Sequence, residues 1–78
     1  MEIMIKIEKV SDVKAVVNAA SKMPFGITAG EGRYIVDAKS IMGLYSLNLS
    51  ESVKLTWDDD ADNNKVNEFL EAIKLYKV

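Results

Sequence analysis

The spacing of apolar residues changes several times along the 78-residue chain, and this succession constrains the fold most strongly. Apolar and polar residues alternate over residues 1–7, which is typical of a strand buried on one face. From Val13 the apolar residues recur at helical spacing, so a helix follows. We predict Ser11 as its N-cap and Met23-Pro24 as its end, because the residue before a proline is disfavoured in a helix.

The middle of the chain predicts a hairpin and a short helix. Residues 25–29 and 33–37 are predicted strands, joined by a turn at Gly30-Glu31-Gly32, since glycine readily adopts positive φ. Ser40 is the candidate N-cap of a helix over residues 41–47, which we expect to end at Asn48. Gly43 is expected to weaken this helix by about 1 kcal/mol relative to alanine.

The last third predicts one more strand and the longest helix. Residues 53–57 alternate as a strand, and the acidic residues 58–64 form a turn. The apolar stripe of the final helix consists of Val66, Phe69, Leu70 and Ile73, with Lys74 and Lys77 placed to favour its negative end. The predicted order β-α-β-β-α-β-α over residues 1–78 indicates a single α+β domain with two layers, a four-stranded sheet and helices on one face.

Composition excludes several kinds of function. The chain has no cysteine and no histidine, which removes thiolate chemistry and the usual neutral-pH acid and base. The net charge of −2 gives no basic footprint for nucleic acid or anionic lipid. No apolar run reaches the length of a membrane span or a signal-peptide core. We therefore expect a cytoplasmic protein with no cofactor and no contact with nucleic acid or membranes.

The acidic run does not predict a calcium site. Asp58, Asp60 and Asp62 alternate as in an EF-hand loop, but Asn63 stands where that loop needs glycine and Phe69 where it needs glutamate. We expect a solvated turn whose last acidic residues cap the final helix.

Residues 37–49 resemble the phosphocarrier HPr of the sugar phosphotransferase system. The run Lys39-Ser40-Ile41-Met42-Gly43, followed by Ser46-Leu47, is similar to the sequence around the regulatory serine of Gram-positive HPr. The predicted element order is also the family order. The resemblance implies an open-faced β-sandwich with an antiparallel sheet of strand order 1-4-2-3.

The start of the first helix departs from that family. HPr carries its phosphoryl group on a histidine there, followed closely by an arginine and a proline. Residues 9–13 of this chain read Lys-Val-Ser-Asp-Val. A serine ester is too stable to pass a phosphoryl group on, and Asp12 places negative charge where a phosphate would lie. The sequence therefore predicts no phosphoryl relay through histidine.

Ser40 has two interpretations. The resemblance implies a regulatory phosphorylation site, with Lys39 able to pair with the phosphate. From the residues alone, Ser40 is an N-cap that stabilises the helix by about 1 kcal/mol over alanine.

The helix after Ser40 is also a candidate partner surface. The resemblance implies that its exposed residues bind other proteins, and we assign this role to Ile41, Met42 and Tyr45, together with Lys39. Leu44 and Leu47 are predicted to lie in the core. Met42 and Tyr45 are the main candidates for exposure, and Ile41 is left open.

Two functions follow from the sequence. The first is a non-catalytic HPr-like protein that acts through the Ser40 helix on protein partners, such as HPr kinase or a transcriptional regulator. The alternative is an HPr-fold adaptor recruited to a pathway outside sugar transport. An independent enzyme is not predicted, and the sequence leaves the oligomeric state open.

Overall fold

The computed structural model describes all 78 residues as one four-stranded antiparallel sheet packed against helices. The elements, in chain order, are β1 (Glu2–Ile5), α1 (Val10–Ser21), β2 (Thr28–Glu31), β3 (Tyr34–Asp37), α2 (Ile41–Tyr45), β4 (Val53–Thr56) and α3 (Asn63–Ala72), followed by a 3₁₀ turn (Lys74–Tyr76). The strand order is β1-β4-β2-β3. The predicted α+β class, element order and 1-4-2-3 topology are confirmed. None of the helices has the length and apolarity needed to span a lipid bilayer.

The core lies between one face of the sheet and the helices. Ala29, Leu55 and Ile5 are fully buried strand residues that alternate with more exposed neighbours. From the helices, Val16 and Phe69 are also fully buried. On the open face, Lys54 lies between Met4 and Gly30 in the strand register. Met4 remains 40% exposed, so this face is not wholly polar.

The hairpin is present, but the predicted positions of β2 and its turn are wrong. β2 begins at Thr28 rather than Phe25, and the two-residue turn is Gly32-Arg33. Gly32 has the only positive φ in the chain, at 59°. Ile27, before the strand, is held in the core, and its carbonyl accepts a hydrogen bond from the Ala38 amide at 2.9 Å.

Four helix predictions are corrected. The N-cap of α1 is Lys9 rather than Ser11. α1 has 12 residues and α3 has 10, so the final helix is not the longest. Because α3 ends at Ala72, Lys74 lies in the 3₁₀ turn and Lys77 beyond it. α2 ends at Tyr45 rather than at Asn48, because Ser46 is already its C-cap.

The acidic turn caps α3, as the sequence predicted. Asp62 is the N-cap, and its Oδ1 accepts from the Asn64 amide at 2.8 Å. Asp59 Oδ1 lies 2.7 Å from the Met1 amino nitrogen, and this hydrogen bond and the positive charge lower the pKa of the Asp59 carboxyl.

The two edges of the sheet differ. The outer edge of β1 is covered by the C-terminal segment, since the Lys6 amide donates to the Tyr76 carbonyl at 2.8 Å and the Val78 amide to the Met4 carbonyl at 3.1 Å. β3 forms the other edge and pairs with β2 alone.

Candidate functional site

Ser40 is the N-cap of α2. Its Oγ accepts a hydrogen bond from the Gly43 amide at 3.0 Å, which satisfies one of the free donors at the helix start. Its carbonyl accepts from the Leu44 amide at 3.1 Å. The side chain is half-buried. The predicted cap is therefore confirmed, and the hydroxyl has a structural role in the unmodified protein.

Gly43 allows α2 to lie close to β3. A Cβ at this position would lie 3.2 Å from the Cβ of Val36 and 3.3 Å from the Ser40 side chain. Both neighbours are held near the backbone and cannot swing away as the end of a long side chain would. From helix propensity alone, Gly43 only destabilises α2. The structure shows that the absence of a side chain at Gly43 allows the close approach of α2 to β3.

The apolar residues of α2 and of the segment directly after it divide between the core and the exposed surface. Leu44 is fully buried and Leu47 is 5% exposed, as predicted. Three other side chains remain exposed: Ile41 by 37%, Met42 by 75% and Tyr45 by 40%. We call these three residues the α2 surface. Such a cluster beside a capping serine is a feature that folding alone does not require.

The side chain of Lys39 makes its hydrogen bond to Met23 and not to Ser40. Its Nζ donates to the carbonyl of Met23 at 2.9 Å, which ties α2 to the segment that follows α1. Its backbone amide donates to Asp37 Oδ1, also at 2.9 Å. A phosphate on Ser40 would have to compete with the Met23 carbonyl for this ammonium group.

The carboxylate of Asp12 caps backbone amides at the start of α1. The carboxylate Oδ2 accepts hydrogen bonds from the amides of Glu8 at 3.1 Å and Lys9 at 3.2 Å, and Asp12 is only 9% exposed. This arrangement explains why the helix starts at Val10 although the side chain of its N-cap residue, Lys9, cannot accept a hydrogen bond. The spacing from Lys9 to Asp12 is that of a capping box, a signal obscured by the lysine in its first position.

The capping by Asp12 also determines whether the start of α1 can bind an anion. Two of the backbone donors there already face a carboxylate. The carboxylate places negative charge at the helix end that would otherwise attract an anion. The arrangement therefore disfavours a phosphoryl group at the place where the resemblance would put one.

The start of α1 and the end of α2 lie on either side of one groove. The groove has a volume of about 550 Å³ and its apolar walls are formed by Ile7, Val10, Val13, Tyr45 and Leu49. Val10 is 57% exposed at its rim. The Lys6 ammonium, which also lines the groove, donates a hydrogen bond to the Ser50 carbonyl. Tyr45 thus connects the α2 surface with the loop before α1.

Replacement of Asp12 by alanine is expected to lower the free energy of unfolding by about 1–2 kcal/mol, because two amides lose their acceptor. Asp12→Asn retains an acceptor oxygen and is the matched control, with a smaller loss. Urea unfolding followed by the fluorescence of Trp57, the single tryptophan, measures both. Equal stabilities of wild type and Asp12→Ala would contradict the assigned capping role.

Comparisons with known proteins bear on this geometry. No established family profile matches the chain, and no curated protein matches it. Among solved structures, the crystal structure of HPr-C-His from Thermoanaerobacter tengcongensis is similar, with a TM-score of 0.74 and 28% sequence identity. The match covers 95% of this chain and 91% of that chain. The chain therefore has the HPr-like fold over nearly its whole length.

Proposed function

We propose that this chain is a non-catalytic regulatory protein, related to the phosphocarrier proteins, that binds protein partners through the α2 surface beside Ser40. The observation that carries the proposal is the exposure of Ile41, Met42 and Tyr45 next to that serine. An adaptable methionine and an aromatic side chain with a polar end suit a surface that contacts other proteins. The HPr-like fold supports the relation to phosphocarriers.

A regulatory rather than a relaying role follows from the start of α1. The chain has no histidine to carry a phosphoryl group. Asp12 occupies the amides of Glu8 and Lys9 and adds negative charge there. These features leave Ser40 as the candidate for phosphorylation that both the motif and the surface geometry favour.

Phosphorylation at Ser40 would change how the α2 surface is recognised. The five residues of α2 carry no charge, whereas a phosphoserine carries about −1.5 to −2 at neutral pH. A partner for the modified form then needs an apolar pocket and a nearby arginine or lysine. A partner for the unmodified form needs only the pocket, so one modification can select between two complexes. HPr kinase and a transcriptional regulator are the partners we propose.

The proposal is tested by incubating the protein with a Gram-positive HPr kinase and ATP and measuring its intact mass. We expect wild type to gain one phosphoryl group and Ser40→Ala to gain none. Ser46→Ala is the matched control, because Ser46 lies at the other end of α2 and its Oγ donates to the Gly43 carbonyl at 2.6 Å. It should be phosphorylated like wild type.

A parallel reaction with Enzyme I and phosphoenolpyruvate should leave all three proteins unmodified. If any of the proteins acquired a phosphoryl group from Enzyme I, the proposal that this chain does not relay phosphoryl groups would be wrong. Wild type left unmodified by the kinase would contradict regulation at Ser40 and favour the adaptor outside sugar transport.

A further inference from the structure

The backbone of β3 has an unused edge. In a two-residue β-turn the first residue's carbonyl accepts from the fourth residue's amide, so the turn at Gly32-Arg33 directs the Tyr34 amide toward Glu31. Because bonding alternates along an antiparallel strand, the amide and carbonyl of Ile35 point away from β2. Neither group takes part in a backbone hydrogen bond outside the helices and strands. The other edge of the sheet, at β1, is covered by the C-terminal segment.

The side chains along this edge form a symmetric pattern. Ile35, in the centre, is 73% exposed. Asp37 follows it by two residues, so the alternation of a strand places both side chains on the open face, and Arg33 precedes Ile35 by two residues at the end of the hairpin turn. Tyr34, 68% exposed, and Val36, half-buried, lie on the opposite face. A cation in the turn and an anion at the end of β3 therefore stand at equal sequence separations from an exposed apolar residue.

We propose that β3 is a pairing edge for a second copy of this chain, antiparallel about a two-fold axis at Ile35. In this register Ile35 faces the partner's Ile35 and exchanges two backbone hydrogen bonds with it. Arg33 faces the partner's Asp37, and Asp37 faces the partner's Arg33. Asp37 Oδ1 already accepts from the Lys39 amide, which leaves Oδ2 for the partner's guanidinium group.

The charges select this register over its neighbours. A parallel pairing in register would place Arg33 against Arg33 and Asp37 against Asp37, and like charges directly opposite each other are destabilising. A shift by two residues would place Ile35 against a charged side chain. The two-fold axis is perpendicular to the sheet, so both copies keep their helices on the same side and the sheet becomes eight-stranded.

The expected dimer is weak. β3 has four residues, and so short an edge buries less surface than a standard protein interface. Its ion pairs lie at the surface, so added salt should weaken association. Sedimentation velocity from micromolar to millimolar protein should show a sedimentation coefficient that rises with concentration for wild type.

Charge reversal tests the register. Arg33→Glu alone, or Asp37→Arg alone, places like charges opposite each other twice, and we expect each to raise the dimer dissociation constant roughly tenfold or more. An equimolar mixture of the two variants restores both opposite-charge pairs. It should associate at least as well as wild type.

Two further variants keep the test independent of the Asp37 contact with Lys39. Ile35→Lys places two ammonium groups at the axis and should abolish association. Leu75→Lys changes a side chain that is 86% exposed in the 3₁₀ turn, far from β3 in sequence, and should associate like wild type. A wild type that stays monomeric at millimolar concentration would overturn the proposal. So would a dimer that persists in Ile35→Lys and Arg33→Glu.

Discussion

Phe69→Ala is expected to lower the free energy of unfolding by about 3–5 kcal/mol, the usual cost of removing a buried phenylalanine side chain. Phe69 is fully buried in α3, and its ring meets the ring of Trp57 edge to face, with centroids 5.8 Å apart and planes at 82°. A chain of this length has a total stability of about 4–12 kcal/mol. The variant should therefore lose at least a quarter of the free energy of unfolding.

Trp57 reports this change directly, because it is the only tryptophan and lies beside the deleted ring. Urea titrations should show a lower midpoint with an unchanged slope. Phe69→Leu keeps most of the volume and should cost about 1–1.5 kcal/mol. A loss below about 1 kcal/mol for Phe69→Ala would show that the core does not depend on this contact.

Leu44→Ala is expected to cost about 2–5 kcal/mol and to loosen α2 in particular. Leu44 is the one buried residue among the five of α2. A helix of this length is not stable by itself, so its position depends on that side chain, on the Ser40 cap and on its contact with β3. Amide hydrogen exchange at Leu44 and Tyr45 should accelerate more than exchange in α1.

Met42→Ala is the matched control for Leu44→Ala. Met42 lies on the same helix but is 75% exposed, so its truncation should change the free energy of unfolding by less than about 0.5 kcal/mol. If both variants were destabilised equally, the division of α2 into a buried anchor and an exposed surface would be wrong.

The element order could be predicted from the sequence because each segment has a clear period. Val53 and Leu55 alternate with polar residues on a strand that is buried on one face, and Val13, Val16 and Val17 follow helical spacing. The position of β2 could not be predicted in the same way. Phe25 and Ile27 alternate like strand residues, but Ile27 is buried in the segment that precedes the strand.

The hairpin turn was misplaced for a related reason. Two glycines flank Glu31, and the sequence does not show which of them has positive φ. The register is decided by long-range contacts, since Ala29 must face the core between Leu55 and Val36. Gly32, rather than Gly30, then falls in the turn.

Those parts of the candidate site that depend only on neighbouring residues in the sequence could be predicted. A serine before a short apolar run is a strong N-cap signal, and Ser40 has that role. The roles of Gly43 and Lys39 depend on Val36 and Met23, which are distant in sequence, so no local pattern indicates them. The groove between α1 and α2 likewise exists only after the chain has folded.

The α2 surface is the centre of the functional proposal, and amide NMR tests it most directly. Unlabelled HPr kinase, without ATP, would be added to ¹⁵N-labelled protein while the amide shifts are followed. We predict that the largest shift changes occur at Ser40, Ile41, Met42 and Tyr45, with the open-face residues Met4 and Lys54 unchanged. Changes confined to the open face of the sheet, or no change at any residue, would contradict the assignment of α2 as the partner surface.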